Sequence, residues 1–390
     1  MRIAIVCDYF LDYVGGAQTS IDAQRDALRE AGHEVLLLAP ERRDPTPGSP
    51  RPDIRLTALG ALPGLDLPVV PNTAKLRRRL RFALAQVDVV HVQTEFGLAH
   101  AATDVARELG IPVVHTVHTF YWATDAPAQG PLAAASAPLL RALTGHPLPT
   151  ESLSPKPMES VLRNLTLGMA RRADLVLSPS AHQASDLRAA GVEASVEVVP
   201  NPSPSVVAVP APLPACPRFL WVARCEPEKR PLEVARAAVA ALERSPGAFT
   251  LSFAGGGSLL GELRELCDGR PELEVLGPVE RDHVATLLDE ASAFVLSSVG
   301  FDNQPMTVAE SIGRGRGVLY CDARLTEGLT AAGYLSGPSV EELTESLLHL
   351  ATDAAELERL AAAARASADA FSPRRYVERV TGLYQSFASA

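Results

Sequence analysis

The sequence predicts an α/β protein built from two doubly wound domains, and three observations carry this. Short apolar runs alternate with helix-length amphipathic segments, the pattern of parallel βαβ units. A length of 390 residues exceeds one ordinary core. A proline-dense stretch splits the apolar runs into two sets. In the first set, strands are expected at 2–6, 34–38, 54–58, 87–92, 112–117, 174–178 and 195–199. In the second they are expected at 218–223, 250–254, 273–276, 293–297 and 317–321. Residues 201–217, with prolines at 202, 204, 210, 212, 214 and 217, can continue neither sheet nor helix and read as a linker. The expected division is therefore a domain at 1–200, the linker, a domain at 218–372 and a final segment at 373–390. Tyr376, Val380 and Tyr384 give that last segment helical spacing. Ligands are expected at the carboxyl ends of the strands, where two such domains face a cleft.

Composition narrows the class. Hydrophobic residues make up 47% of the chain and the 5 cysteines are scattered without paired spacing, so neither a disulfide framework nor a metal cluster is expected. The opening Met1–Val6 is strand-like and too short for a signal peptide. No run approaches the ~18 apolar residues of a membrane-spanning helix. The net charge of −10 argues against nucleic-acid binding. It is unevenly shared: 19 Lys/Arg stand against 21 Asp/Glu up to residue 200, and 17 against 25 beyond.

Candidate chemistry clusters after the strands. Arg224 and Lys229 follow strand 218–223. A forked guanidinium and an ammonium suit a diphosphate leaving group, although an ion pair of Arg224 with Glu226 or Glu228 is the plainer alternative. Gly255 and Gly256 follow strand 250–254, where backbone amides can approach a phosphate; a tight strand–helix turn explains them almost as well. In Asp302-Asn303-Gln304-Pro305-Met306-Thr307-Val-Ala-Glu310, Pro305 suits a first helical turn with Asn303 or Gln304 as cap. Asp302 then lies in the loop and Glu310 two turns into the helix, two carboxylates able to accept from vicinal hydroxyls. Gly15 and Gly16 follow the first strand, and His118 lies just beyond strand 112–117, placed to contact a transferred sugar. Lys75, Arg77, Arg78, Arg79 and Arg81 surround a Leu76/Leu80/Leu84 stripe. Such a helix suits anionic headgroups, or else is a solvated helix packing its leucines on the sheet. Residues 59–70 are expected to add apolar contacts there. The long 119–157 stretch is a candidate acceptor-side lid.

In this order the motifs resemble family-4 glycosyltransferases of the GT-B fold over essentially the whole chain. They are Gly15-Gly16, His118 within His-Thr-Phe-Tyr, Ser178-Pro-Ser180, Pro200-Asn201, the Arg224/Lys229 pair and the Asp302/Glu310 pair. The resemblance implies retaining transfer of a hexose from a UDP- or GDP-sugar without a metal or other cofactor. It places donor contacts on Gly15, Gly16, Gly255, Gly256, Arg224, Lys229, Asn303 to Thr307 and Glu310, with His118, Arg224, Lys229 and Asp302 catalytic. His-Thr-Phe-Tyr and the basic helix look most like the branch acting on membrane lipids, which includes diacylglycerol glucosyltransferases and phosphatidylinositol mannosyltransferases. That implies a cytoplasmic protein held peripherally on the inner face of the membrane, a monomer or weak oligomer, with a lipid or glycan acceptor. It also implies a last helix crossing back to the first domain. The chain departs from the family at Asp302, where Glu is usual, and at Gly313-Arg-Gly-Arg-Gly317. A sugar-nucleotide epimerase and a non-catalytic nucleotide-sugar binder share the architecture and stay open as alternatives.

Overall fold

The computed structural model describes every residue except 13–14, 45–49, 63–66, 120, 123–130, 204–205 and 389–390. The chain divides into two compact units, Met1–Pro202 with Pro373–Ala390, and Ser203–Ser372.

The first unit runs β1 (Arg2–Val6), α1 (Gly16–Glu30), β2 (Glu34–Pro40), β3 (Ile54–Leu56), β4 (Ala61–Leu62), β5 (Leu67–Pro68), α2 (Ala74–Leu84), β6 (Val89–Val92), α3 (Gly97–Leu109), β7 (Val113–Thr116), α4 (Pro131–Thr144), α5 (Pro157–Ala170), β8 (Leu175–Ser178), α6 (Ala181–Ala189) and β9 (Ser195–Val198). Seven strands form a sheet of order β3-β2-β1-β6-β7-β8-β9, and every pairing is parallel. Strand residues alternate between two cores because side chains leave a strand on alternate faces. Ala4 and Val6 pack with Leu80, Leu84 and Leu98 on one face. Ile3 and Ile5 pack with Ile21, Leu28, Val380 and Tyr384 on the other. Those last two residues belong to the final helix (Pro373–Ala388), which contributes Tyr376, Val377, Val380 and Tyr384 at helical spacing to this unit's core. The helix is pinned through a buried ring, since His91 on β6 bonds Tyr384 Oη through Nδ1 (2.7 Å) and Thr116 Oγ1 through Nε2 (2.7 Å).

The second unit runs β10 (Arg218–Val222), a 3-10 turn (Pro227–Lys229), α7 (Pro231–Arg244), β11 (Thr250–Ala254), α8 (Leu260–Cys267), β12 (Leu273–Gly277), α9 (Arg281–Glu290), β13 (Ala293–Leu296), α10 (Met306–Gly313), β14 (Gly317–Tyr320), α11 (Leu329–Ala332), β15 (Gly333–Leu335), α12 (Val340–Thr352) and α13 (Ala354–Ser367). The final helix is accordingly α14. Its six parallel strands order as β12-β11-β10-β13-β14-β15. Counted along this unit the order is 3-2-1-4-5-6, with its switch point between β10 and β13. The five strands expected here match to within a residue. Short β15 was not foreseen, and neither was the small β4–β5 hairpin of the first unit.

From Ser203 onward the proline-rich segment belongs to the second unit. Ser203 N donates to Phe371 O (2.8 Å) and Val207 N to Gly313 O (3.0 Å). Arg316, fully buried, donates from Nε to Leu288 O (3.0 Å), from Nη1 to Ala211 O (2.9 Å) and from Nη2 to Asp289 O (2.5 Å). One guanidinium thus ties the segment to the end of α9 through backbone carbonyls. Its neighbour Arg314 pairs with the Asp289 carboxylate through both Nε (2.8 Å) and Nη2. Both arginines precede β14, at the amino edge of the sheet, so the departure at 313–317 serves packing there. Replacing Arg316 by Met roughly keeps the volume but removes a donor from the part-buried Ala211, Pro212 and Asp289 carbonyls, at ~1–3 kcal/mol for each one left without a partner. Urea unfolding of R316M, followed by emission of the buried Trp221, should show a loss of at least ~2 kcal/mol for this unit. An unchanged midpoint would contradict the clip.

Candidate active site

The chemistry of the second unit gathers at its switch point. After β10 the chain makes the 3-10 turn that carries Lys229. Arg230 then adopts a left-handed φ of 55° and its guanidinium donates to Ser297 O (3.1 Å), which fixes the turn against the end of β13. Ser297 completes this clasp, accepting from Trp221 Nε1 (2.9 Å) and donating to Lys229 O (2.6 Å). Lys229 Nζ meets Asp302 Oδ1 at 2.5 Å and sits 4.7 Å above the Phe301 ring. Asp302 also accepts from Ser298 Oγ, and Gly300 N donates to Asp322 Oδ2 (2.7 Å) at the end of β14. The loop bearing Asp302 is therefore held from β13 and β14 together.

Arg224 lies at the same strand end, half exposed, and pairs with Glu228 at 2.8 Å, the plainer partner anticipated for it. Glu310 is only 8% exposed, and its nearest cation is Arg281 at 3.8 Å. Burial raises its pKa, while Arg281 and Arg314 act to lower it. Two details differ from expectation. Helix α10 starts at Met306 with Pro305 itself as the capping position and no side-chain cap, because extended backbone at Pro305 leads straight into the first turn. Glu310 consequently stands one turn into the helix, and Asn303, Gln304 and Pro305 are half-buried loop residues ahead of it.

The glycine run has a packing cause. A Cβ on Gly255 (φ +145°) would stand 1.8 Å from Ala223 O, and one on Gly257 (φ +153°) 2.5 Å from Cys225 O. The β10 loop presses on both, so no side chain fits. Gly255 N is taken by Gly277 O (2.8 Å), and Glu226 accepts from Ser258 N (3.0 Å) and Oγ (2.5 Å) just ahead of α8. The Gly255 amide is spoken for within the protein, and Glu226 puts a carboxylate where a phosphate was anticipated.

The first unit presents a different edge. Gly15 caps α1 in extended conformation, and Gly16 has open space at its Cβ. His118 follows β7, half-buried, and bonds through Nε2 to Gln93 Oε1 (2.6 Å). Gln93 donates to Gln24 Oε1 (3.0 Å), and Gln24 donates to Asn201 Oδ1 (3.0 Å). This direction of donation makes His118 Nε2 the N–H and leaves Nδ1 an acceptor. Burial lowers the His118 pKa to about 4, so the ring is neutral at ordinary pH. Asp8, at the end of β1, accepts from Leu98 N (2.8 Å), Ala99 N (3.1 Å) and Thr94 Oγ1 (2.6 Å) and so caps α3.

Glu95 stands beyond β6 with 1% exposure, and neither oxygen bonds a described residue. His115 Nε2 is 3.8 Å away and buried. Burial first, then the Asp8 charge, raises the Glu95 pKa to about 8; burial lowers that of His115 to about 3. Gln24, Gln93, Glu95 and Asp8 were missed from sequence, although Gln93-Thr-Glu95 follows a strand as directly as His118 does.

Among the basic residues of α2, Arg77 donates to Asn72 Oδ1 (2.7 Å), Arg79 to Arg55 O (2.7 Å), and Arg81 pairs with Glu108. Lys75 and Arg78 are exposed and their side chains bond no described residue. One turn beyond Arg78 on the same face stands Phe82, 83% exposed, which sequence reasoning did not single out. Residues 63–66 of the expected apolar stretch and 120 and 123–130 of the expected lid lie outside the described residues.

A neutral buried carboxyl sets a pH dependence. With a folded pKa of about 8 against an ordinary 4.5, folded Glu95 holds a proton that the unfolded chain releases. The stability this gives is complete below pH 4.5 and is lost as pH rises through about 8. Glu95→Gln keeps the shape without the charge, so its melting temperature should fall less than wild type between pH 6 and 9. Parallel curves would show that Glu95 is not held protonated.

Comparison with known proteins gives two family matches, Glycosyltransferase Family 4 over residues 14–203 and Glycosyl transferases group 1 over 216–353. The alpha-monoglucosyldiacylglycerol synthase of Streptococcus pneumoniae is 34% identical over 131 residues, 31% of this chain and 27% of that protein. The phosphatidyl-myo-inositol mannosyltransferase of Mycolicibacterium smegmatis is 32% identical over 127 residues, 30% of this chain and 31% of that protein. The matches thus span under a third of these relatives. Among solved structures, HepE of Anabaena in complex with UDP superposes with a TM-score of 0.68 at 15% identity, covering 99% of this chain and 100% of that one. A sucrose-phosphate synthase from Thermosynechococcus elongatus gives 0.69 at 16%, covering 100% of both chains. At such identity the likeness shows the fold, which is GT-B. An epimerase of UDP-GlcNAc from Methanocaldococcus jannaschii shares it at 0.56 and 14%, over 98% of this chain and 99% of that one.

Proposed function

Because the chain belongs to the glycosyltransferases that join a family 4 half to a group 1 half, we propose that it is a hexosyltransferase. Its donor is a nucleoside-diphosphate sugar, its acceptor a hydroxyl on a lipid or glycan, and the anomeric configuration is retained. The observation that carries this reading is the group of Arg224, Lys229, Asp302 and Glu310 around the β10/β13 switch point, where sheets of this kind receive ligands.

In this reading Lys229 and Arg224 turn from their carboxylate partners to the donor's diphosphate. Their charge offsets what develops as the bond from C1 to the phosphate oxygen breaks and its electron pair leaves with the diphosphate. The acceptor oxygen bonds to C1 on the face the diphosphate leaves, and its proton passes to the departing phosphate oxygen. Asp302 and the backbone of Asn303 to Thr307 hold sugar hydroxyls. Glu310 holds the ribose, ionised when its buried oxygens gain hydroxyl donors. The Gly255-Gly256 turn allows close approach of the nucleotide. On the first unit, Gly15 and Gly16 offer an α1 N-terminus to the phosphates, and neutral His118 offers Nδ1 to a sugar hydroxyl. Two protein cations take the electrostatic role of a divalent ion, so the reaction is proposed to need no metal. Uridine and guanosine donors both fit this chemistry.

A lipid acceptor suits α2. Lys75 and Arg78 are exposed, bond no described residue and share a helix face with the exposed Phe82 ring, a combination that favours an anionic interface. The proposed setting is glycolipid or glycan synthesis at the inner face of the cell membrane. No described helix is long and apolar enough to cross a membrane.

Arg224→Ala and Lys229→Ala should each lower kcat/KM by roughly 100-fold, the usual cost of losing one transition-state donor. EDTA should leave the rate unchanged, and NMR of the first-formed product should show the donor's anomeric configuration. An inverted product would sink the mechanism, and full activity in both variants would remove the clamp. For the membrane contact, the triple variant K75Q/R78Q/F82S should lose sedimentation with phosphatidylglycerol vesicles while keeping its melting temperature; retention on vesicles would clear α2 of that role.

A further inference from the structure

Between β7 and β8 a single crossover helix would suffice, and α5 serves as that helix. Helix α4 is additional, and beside α5 it leaves a groove of about 540 Å³, within the ~300–1,000 Å³ range of small-molecule sites. The groove's exposed lining is apolar: Ala137 and Pro138 from α4, Leu148 and Pro149 from the connection, and Val161 from α5. Much of its polar lining is already satisfied. Asn164 accepts from Glu151 N (3.1 Å) and donates to Glu151 O (2.8 Å), Ser160 Oγ donates to Glu151 O (3.0 Å), and the Glu151 carboxylate pairs with Arg171 (3.1 Å). The side chains of Thr150 and Arg141 bond no described residue, and the Arg141 guanidinium is the one charged group of the lining left without a described partner.

Helix α5 also holds the strand-end loop that carries His118, through a face other than the one that lines the groove. Arg163, two residues beyond Val161, donates to Tyr121 O (3.3 Å) and Trp122 O (3.2 Å) and lies 5.8 Å over the Trp122 ring. A crossover helix runs antiparallel to its strands, so the first turns of α5, which line the groove, stand toward the sheet's carboxyl edge.

We propose that this groove holds one acyl chain of an anionic lipid, with Arg141 on its negative head, and so draws the acceptor to the His118 edge. The inference rests on the lipid-acceptor reading for its role in the reaction, though not for the binding itself. A mainly apolar trough selects by contact and dewetting, and a lone arginine on its wall selects an anionic end.

The test is titration with cis-parinaric acid, a fluorescent fatty acid, read beside nucleotide-sugar stabilisation as a control for folding. Wild type should bind it saturably. Val161→Trp, which fills the trough, should abolish binding, and Arg141→Gln should weaken it about tenfold and remove most of its salt dependence; both variants should keep donor stabilisation. No saturable binding by wild type, or undiminished binding by V161W, would overturn the groove, whatever the acceptor assays give. Binding lost in V161W, in an enzyme that glycosylates no lipid, would uphold the groove and instead refute the lipid acceptor.

Discussion

A parallel strand covered by helices on both faces has nowhere to present charge except its ends. Both sheets of this protein obey that constraint. Their central strands are buried apolar runs, and the candidate site residues stand in the loops that follow them: Glu95 after β6, His118 after β7, Arg224 and Lys229 after β10, and Asp302 after β13. The loops are exposed to water on one side and anchored to rigid strands on the other. Each must therefore be fixed by hydrogen bonds of its own, which is why serine and glutamine hold so many positions there. Ser297, bonded at once to Trp221 and to the carbonyl of Lys229, is the clearest instance.

The same economy gives a packing cause to residues that also look functional. Gly255 and Gly257 exist because a neighbouring loop leaves no room for Cβ. Asp8 sits at a switch point yet spends its carboxylate on the α3 amides. Arg316 departs from the family pattern and turns out to satisfy carbonyls at the amino edge of its sheet, where it bears on packing and not on the ligand edge. Glu95 differs from all of these, for it is as buried as Asp8 and has no hydrogen-bonding partner among the described residues.

Much of the fold was legible in the sequence. Parallel strands buried on both faces leave continuous apolar runs, and those runs located twelve strands to within a few residues. Short edges such as β15, only three residues long, leave no such run. The site was legible in one dimension only. Spacing placed Lys229 and Asp302 after their strands, but the contact between them spans 73 residues and depends on strand order. The Gln24–Gln93–His118 chain was invisible for the same reason. Helix α2 showed its basic stripe in sequence, whereas the exposure of Phe82 depended on which face the leucines bury.

The final helix also orders events in time. The bond between His91 and Tyr384 joins residues 293 positions apart, and one face of the first sheet is covered by α1 and α14 together. Ser203–Ser372 needs nothing beyond itself to close its cores. During synthesis the second half can therefore finish folding while the first still shows an apolar strip. At ordinary elongation rates that interval lasts on the order of ten to forty seconds. The first unit, made before the second, is sealed after it, and it is through that interval that chaperone capture or self-association would have its opening.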